Sequence, residues 1–250
     1  MKPEIKILPI FNQSAPGVWE DFAHVYASTV RATYNHHVSD TDIADCIAKD
    51  RAAWRRNGLK FAFGAYDGAD LIGFIQGDGN TRCVTVQSLY VLKEYQSMHV
   101  GMRLLNAAER ALAPVAPKIE LIALGGAMNF YKKHGYSSPL NTNAFSKKLI
   151  GGGAAGVVPV FKCLGGVSRV CGQISQSFDA ASINTNHVPM FVFQNCAGRV
   201  LGYAVGSDNP MQPYDISELK VTGGFDPDWM RRDLQGAFSK LATHALSRTR

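Results

Sequence analysis

The chain lacks several features that would assign it to a specialised class of protein. Its five cysteines include no CxxC pair, and their odd number and wide separation argue against a disulfide framework and against a zinc site. No run of about 18 apolar residues occurs, so a membrane-spanning helix is not expected. The first residues contain a lysine but no apolar segment with a cleavage site, so no secretory signal is expected. These absences make the cytoplasm the expected location.

Charge of one sign is not concentrated anywhere either. The chain has 250 residues and a net charge of +6, and the basic excess is spread along its length. A mildly basic surface suits a polyanionic ligand and would also tolerate RNA. Hydrophobic residues make up 46% of the chain, which is enough for one large core or two modest ones.

Hydrophobic periodicity predicts a regular order of helices and strands over residues 1–150. One helix is expected from Val18 to about Tyr34, and a second from Ser39–Asp40 to Gly58. Three strands separated by Asp-Gly and Gly-Asn turns follow, then a helix, a strand, a second short helix and a last strand. With a strand at the N-terminus, this order predicts an α/β (α+β) fold with a mixed central sheet flanked by helices.

The glycine-rich run 151–156 is the best candidate for a domain boundary, giving domains 1–150 and 157–250. The alternative is a long loop within one domain. Comparison of the sequence with itself indicates an internal repeat. A shift of 129 residues pairs Gly73 with Gly202, and a shift of one residue more pairs Leu89 with Leu219. Chance agreement is the alternative to a diverged duplication, since glycine turns recur in unrelated sheets.

A strand-loop-helix segment carries the most functional information. The strand ends at Leu89-Tyr90-Val91, a short loop follows, and a helix opens near Val100. The loop N–H groups and the first unpaired N–H groups of the helix form an anion site, which the helix dipole strengthens. Gly101 lets the backbone approach a bulky phosphate.

This segment resembles the acetyl-CoA motif of the GNAT acyltransferase superfamily, Q/R-x-x-G-x-G/A after a strand ending in L-x-V. The hexapeptide here is Gln96-Ser97-Met98-His99-Val100-Gly101, and His99 stands where the family has glycine, so that a Cβ lies where the pyrophosphate passes. The resemblance implies the GNAT fold and acetyl-CoA (coenzyme A) as the cofactor. The residues that it implies for cofactor binding are Leu89, Tyr90, Val91, Gln96, Ser97, Met98, His99, Val100, Gly101, Met102 and Asn129.

A second motif follows at the distance usual in the family. Residues 127–136, AMNFYKKHGY, resemble the family helix A-x-x-F-Y-x-x-x-G-F/Y. The family often has asparagine at the position of Leu124, and Asn129 is a candidate for the polar contact that is lost there. By the same resemblance, Tyr131 is the acid that protonates the departing thiolate, because a phenol stays protonated at neutral pH.

The other catalytic groups are less defined by the sequence. The resemblance implies that Leu89 and Val91 pair with the pantetheine arm and that the Val91 N–H donates to the thioester carbonyl. No base is assigned: Asp78, the adjacent His36 and His37, and an ordered water are the candidates.

The predicted function is N-acetyl transfer to a primary amine, either a small molecule or a peptide. The alternatives are a non-catalytic acyl-CoA-binding module and acetylation of aminoacyl-tRNA, which the diffuse charge disfavours. The second half is expected to be a truncated, degenerate GNAT-like copy that does not bind acetyl-CoA, because acidic residues and a proline occupy its turn at 225–231. It would cover the sheet, shape the acceptor cleft or form a homodimer contact.

Overall fold

The computed structural model describes residues 3–11, 17–34, 38–54, 59–80, 82–113, 116–139, 142–149, 156–160, 189–194, 200–207, 214–221 and 227–248. Several features described from the sequence lie outside these residues: His36, His37, residues 55–58, residues 151–155, residues 225–226 and three of the five cysteines, Cys163, Cys171 and Cys196. No helix in the described ranges is long and apolar enough to cross a membrane.

The described residues of the first half form six strands and four α-helices in the predicted order. Their bounds are β1 Ile5–Pro9, α1 Val18–Tyr34, α2 Asp40–Trp54, β2 Leu59–Asp67, β3 Asp70–Gly79, β4 Val84–Val91, α3 Val100–Leu112, β5 Lys118–Ile122, α4 Met128–Lys133 and β6 Ala144–Lys148. The strands form one sheet in the order β1-β2-β3-β4-β5-β6. Only β4 and β5 are parallel, so the sheet is mixed and the predicted fold class is confirmed.

Local chemistry explains where the first two helices begin. Acidic residues stand in the first turn of α1 and a basic residue in its last turn, which complements the helix dipole. At the start of α2, the hydroxyl of Ser39 accepts from the N–H of Asp42, and the Asp42 carboxylate accepts from the N–H of Ser39. The Ser39 hydroxyl also donates to the Asp42 carboxylate at 2.6 Å, and this bond, together with the one from the Ser39 N–H, holds the pKa of the exposed Asp42 carboxyl below its usual value.

The sheet of the first half separates two cores. The α3 core joins the buried side of α3 to one face of the sheet, through Val86, Val91, Val100, Leu104 and Leu105. The α1 core joins α1 to the other face, through Phe22, Val25 and Phe74, and the rings of Phe22 and Phe74 stack with centroids 4.2 Å apart. Since each face is covered by helices, the sheet is buried on both sides.

Strand β4 contains a β-bulge at Gln87. Gln76 of β3 faces Ser88 and the next residue, Gly77, faces Val86, so Gln87 has no counterpart in the ladder. The extra residue reverses which face the following side chains occupy. Val86 lies in the α3 core, whereas Ser88 faces the α1 side of the sheet.

The second half forms its own antiparallel sheet with one long helix. Its elements are β7 Gly156–Pro159, β8 Met190–Gln194, β9 Val200–Gly206, β10 Ile216–Val221 and α5 Pro227–Arg248, and the strand order is β10-β9-β8-β7. Gly156, the last residue of the glycine-rich run, pairs with Gln194 as the first residue of β7.

The register of the second sheet repeats that of the first. The corresponding pairs are Gly73↔Val91 with Gly202↔Val221, Ile75↔Leu89 with Ala204↔Leu219, and Gln76↔Ser88 with Val205↔Glu218. The pairing of β10 with β9 shifts between Ile216 and Glu218, so Ser217 occupies the place that Gln87 has in β4. Strand order, register and bulge position thus agree between the halves.

The two halves share both cores. Met190, Val192 and Tyr203 of the second sheet extend the α3 core. On the other side, Phe191 and Phe193 lie against α5, and these residues extend the α1 core. Burial of apolar surface therefore holds the halves together on both faces.

Candidate functional site

Strand β4 pairs with β5 only over its first residues. The parallel pairing runs from Val84 to Val86 and ends opposite Leu121, one residue before the end of β5. Beyond the bulge, β4 continues along β3 as far as Val91, with no pairing to β5 on its other edge. This edge is therefore open along residues 88–91 of β4, and it is called here the β4–β5 opening.

Backbone groups of β4 face this opening. The N–H of Leu92 donates to the carbonyl of Ile72 in β3 at 2.9 Å. Because successive peptide groups along a strand point to opposite edges, the groups of Val91 and Leu89 point away from β3. The edge of β4 can thus pair with an extended ligand as a further strand would.

A short 3-10 helix, Lys93–Met98, joins β4 to α3. The amide nitrogen of Gln96 donates to the Val91 carbonyl at 3.1 Å, and the hydroxyl of Thr29 donates to the same oxygen at 3.2 Å. Two donors on one carbonyl fix the position at which the strand ends. Gln96 therefore ties the turn to the end of β4.

The N-terminus of α3 is not capped by any side chain. His99 precedes the helix without a capping hydrogen bond, and the first turn contains no acidic residue. The first backbone bond of the helix, from the N–H of Arg103 to the carbonyl of His99, leaves the N–H groups of Val100, Gly101 and Met102 without intrahelical acceptors. This end of α3 has the properties of an anion site.

His99 adopts the left-handed conformation, with φ of 58°. Within the described ranges it is the one residue other than glycine with a positive φ. A residue in this conformation after a helical turn directs successive N–H groups into one concavity, which favours anions. The backbone geometry explains why glycine suits this position better than the histidine found here.

The two sequence motifs meet in space at the start of α3. A Cβ placed on Gly101 would lie 3.6 Å from a ring carbon of Phe130 in α4 and 3.8 Å from a methyl carbon of Val91. The turn at 96–101, the end of β4 and the Phe-Tyr helix therefore form one site. The side chains of Ser97, Met98 and His99 are exposed beside it.

Tyr131 is buried in α4 on the α3 side of the sheet. Only 7% of the residue is exposed, and its ring lies 5.7 Å from that of Tyr136 and 6.1 Å from that of Phe145, measured between centroids. Asn129, on the same helix, is exposed. Tyr90 points to the other face, where its ring lies 5.1 Å from that of Tyr26, so only its backbone is near the opening.

Asp78, one of the candidate bases, is engaged elsewhere. It accepts a hydrogen bond from the Gln87 amide at 3.1 Å and lies 3.8 Å from the Lys60 ammonium group. These partners place it at the far end of β3, next to the bulge. His36 and His37 lie outside the described residues.

Sequence reasoning missed a carboxylate that lies beside the opening. Asp50 in α2 accepts from the amide nitrogen of Gln76 at 2.7 Å and from the hydroxyl of Ser88 at 3.5 Å. Burial is the largest effect on this carboxyl and raises its pKa above the usual value, although both hydrogen bonds act in the opposite direction. The interrupted alternation at Val86-Gln87-Ser88 indicates that Ser88 turns to the α2 side of the sheet, but no signal in the sequence identifies Asp50.

Burial also affects Tyr26, which stands near Asp50. Burial, a hydrogen bond with Cys46 and the nearby carboxylates of Asp50 and Asp42 together raise the pKa of Tyr26 to about 12. The phenol therefore stays protonated at neutral pH.

The edge of β4, the phosphate turn and the Phe-Tyr helix lie within one matched domain, whereas Asp50 and Tyr26 precede it. Residues 59–138 match the family model of the acetyltransferase (GNAT) domain, which covers β2 to the end of α4 and both motifs. No curated protein matched the chain in sequence.

Several solved structures are similar to the first half of the chain. PaiA N-acetyltransferase from Thermoplasma acidophilum, solved with coenzyme A, is 21% identical, with 58% of this chain and 99% of that chain covered and a TM-score of 0.46. Aminoglycoside 6′-acetyltransferase type Ii is 20% identical, with 58% of this chain and 97% of that chain covered and a TM-score of 0.45. A GNAT family acetyltransferase from Brucella melitensis, solved with acetyl-CoA, is 16% identical, with 59% of this chain and 89% of that chain covered and a TM-score of 0.42.

Because these TM-scores and identities are low, the fold assignment rests on the family model and on the strand order. The mixed sheet, the flanking helices and the parallel β4–β5 pair match the acetyltransferase (GNAT) fold. Residues 59–138 therefore have the fold of the acetyltransferase (GNAT) domain.

Proposed function

We propose that the chain is an acetyl-CoA-dependent N-acetyltransferase that transfers the acetyl group to a primary amine by direct attack. The observation that carries the proposal is the uncapped N-terminus of α3, which follows directly on a strand whose backbone edge is open. Coenzyme A needs both features, since its pyrophosphate requires N–H donors and its amide-containing arm pairs with a strand edge.

The N–H groups of Val100, Gly101 and Met102 would hold the pyrophosphate, together with those of the turn at 96–99. Gly101 supports this assignment because a Cβ there would meet only ordinary contacts within the protein. A larger side chain would extend toward the phosphate instead. The exposed Ser97 and Asn129 would contribute polar contacts from the two sides of the site.

The edge of β4 would bind the pantetheine arm. The sequence favours the Val91 N–H as the donor to the thioester carbonyl. The direction of β4 favours the N–H of Leu89, because an arm that runs back from the phosphate turn reaches Val91 first and Leu89 second. Both N–H groups face the same edge.

Tyr131 would provide the proton for the departing thiolate. Coenzyme A supplies the acetyl group as a thioester, and its sulfur leaves as a thiolate when the amide forms. A phenol, which ionises near pH 10, is protonated at neutral pH and can donate to this sulfur. The position of Tyr131 in the helix that packs on Gly101 supports this role.

The second half would be a diverged copy of the first that no longer binds the cofactor. The common register and the common bulge position support this proposal. A proline stands at the first position of α5 and an aspartate at the second, where α3 has Val100 and Gly101. The proline lacks an N–H and the aspartate repels phosphate, so this half would have a structural role.

A thiol-release assay tests the activity. Purified protein and acetyl-CoA are incubated with a panel of primary amines, a peptide with a free N-terminus and charged tRNA. Amine-dependent release of coenzyme A, with an acetylated product of the expected mass, is the predicted result. Binding of acetyl-CoA without release for any acceptor would indicate a non-catalytic module instead.

A further inference from the structure

We propose that Asp50, fixed by Gln76 and Ser88, binds the ammonium group of the acceptor and accepts its proton. This inference depends on the acetyl transfer proposed above, and it restricts the acceptor to primary amines that are cationic at neutral pH. Asp50 is on α2, apart from both motifs, and no motif of the sequence identifies it.

One oxygen of the Asp50 carboxylate is held and the other is left for a ligand. Gln76 donates to Oδ2 at 2.7 Å and Ser88 donates to the same atom at 3.5 Å. Both donors are buried, with 3% of Gln76 and 7% of Ser88 exposed. Among the described residues, no hydrogen bond to Oδ1 occurs, so the fixed carboxylate presents Oδ1 as an acceptor.

The carboxylate stands beside the β4–β5 opening. Ser88 follows the bulge at Gln87, two residues beyond Val86, where the pairing to β5 ends. Its side chain faces α2 rather than α3, so Asp50 approaches the opening from the face opposite the phosphate turn. An amine held at Oδ1 would therefore reach a thioester near Leu89 from the side that coenzyme A does not occupy.

The surroundings of Asp50 favour a cation as ligand. In the described part of the chain, no lysine, arginine or histidine forms an ion pair with Asp50. The titratable group that interacts with it is Tyr26 of α1, which in turn contacts Cys46 of α2, and neither is cationic. A partly buried carboxylate without a counter-charge is costly, and a bound ammonium group would provide that charge.

An unsatisfied amide accompanies this arrangement. The Oε1 atom of Gln76 is buried and has no hydrogen-bond partner among the described residues. Its amide nitrogen is directed to Asp50 and Ser88 instead. An unmet buried acceptor lowers the stability of the folded state, and functional sites often carry such a cost.

Proton transfers at Asp50 and Tyr131 accompany the acetyl transfer. Asp50 accepts one proton from the ammonium group, which frees the nitrogen lone pair. The nitrogen forms a bond to the acyl carbon, the carbon–sulfur bond breaks, and the thiolate takes a proton from Tyr131. The second proton of the amine returns to the Tyr131 phenolate through solvent, and Asp50 releases its proton to water. The products are the amide, the free thiol and one proton.

Carboxyl NMR tests the binding role without requiring the true acceptor. The chain is labelled with 13C at the aspartate carboxyl carbon, and the Asp50 signal is identified by its loss in Asp50→Asn. Titration with n-butylammonium should shift this signal, and titration with the isosteric neutral n-butanol should not. No shift with butylammonium, or an equal shift with butanol, would overturn the inference.

Kinetics test the proton-accepting role. With acetyl-CoA and the best amine of the panel, Asp50→Asn should reduce kcat/KM roughly a hundredfold and remove the acid limb of its pH profile. Asp45→Asn, on the exposed side of the same helix, is the matched control and should keep both. A normal acid limb in Asp50→Asn would overturn the assignment.

Calorimetry separates this inference from the proposed function. Asp50→Asn should bind coenzyme A as wild type does, since Asp50 lies on the opposite face of the sheet from the phosphate turn. If wild type fails to bind coenzyme A, the acetyltransferase proposal fails. If wild type binds coenzyme A but the Asp50 carboxyl signal does not shift with butylammonium, only the proposed role of Asp50 fails.

Discussion

Gly101 and Phe130 join the two motifs of the chain into one site. A Cβ added to Gly101 would lie 3.6 Å from the Phe130 ring, an ordinary contact that does not disturb the packing. Folding alone therefore does not demand glycine at this position. The small residue keeps the backbone of α3 accessible where an anion would approach.

Met102→Glu should change stability and ligand binding in opposite directions. Met102 is in the first turn of α3, which contains no acidic residue. A carboxylate there interacts favourably with the helix dipole, by about 0.3–1 kcal/mol, and repels a bound pyrophosphate. Urea unfolding should show equal or greater stability, while calorimetry should show at least tenfold weaker binding of coenzyme A, about 1.4 kcal/mol. Met102→Gln, the neutral control, should bind normally; equal binding by the Glu variant would contradict an anion site at this helix end.

His99→Gly should stabilise the protein. The left-handed conformation costs a residue with a Cβ roughly 1 kcal/mol compared with glycine. The substitution also removes a side chain from the phosphate turn, so coenzyme A should bind equally or more tightly. Ser97→Gly, which changes a neighbouring residue without a positive φ, should be destabilising instead. Weaker coenzyme A binding in His99→Gly would mean that the imidazole is a ligand for the phosphate.

Tyr131→Phe should slow turnover while leaving cofactor affinity nearly unchanged. Loss of the hydroxyl removes the proposed proton donor, which should reduce kcat about a hundredfold, whereas the ring keeps its packing against Tyr136 and Phe145. Tyr136→Phe removes a buried hydroxyl from the same aromatic cluster and serves as the control, with kcat unchanged. Loss of coenzyme A binding in Tyr131→Phe would show that the hydroxyl has a structural role.

Asp50→Asn should raise stability at neutral pH. Because burial raises the folded-state pKa of this carboxyl above its unfolded value, the folded state binds the extra proton between these two pKa values, and wild-type stability decreases as pH rises through that window. The asparagine variant does not lose stability in this way. In urea unfolding, its free energy of unfolding should therefore exceed that of the wild type by an amount that grows from acid to neutral pH. Asp45→Asn should show no such trend. If the wild type instead became more stable than Asp50→Asn as the pH rises, the folded-state pKa of Asp50 would be lowered rather than raised, which would contradict the account of this site.

The sequence predicts the fold of the first half well because each element carries a local signal. The bounds of α1, Val18–Tyr34, and of α3, Val100–Leu112, agree with the apolar periodicity. Gly135, which follows the end of the short helix α4, has the positive φ of 80° that this position favours. The α2 start follows from the hydrogen bonds between Ser39 and Asp42. Such contacts lie within a few residues along the chain, so a local pattern suffices.

The site is predicted only where it consists of contiguous residues. The turn at 96–101 can be recognised directly in the sequence. In the cluster of Asp50, Gln76 and Ser88, by contrast, Gln76 lies 26 positions and Ser88 lies 38 positions along the chain from Asp50. Only tertiary packing brings these residues together. The bulge is an intermediate case, since the strand letters VTVQSLYV contain an interrupted alternation that indicates an extra residue.

Calorimetric titration of the wild-type chain with acetyl-CoA tests the central claim most directly. The account predicts saturable binding with one site per chain and a dissociation constant of tens of micromolar or below, because only α3 offers an uncapped N-terminus after an open strand edge among the described elements. No heat of binding at these concentrations would contradict the assignment of an acetyl-CoA site to residues 88–136.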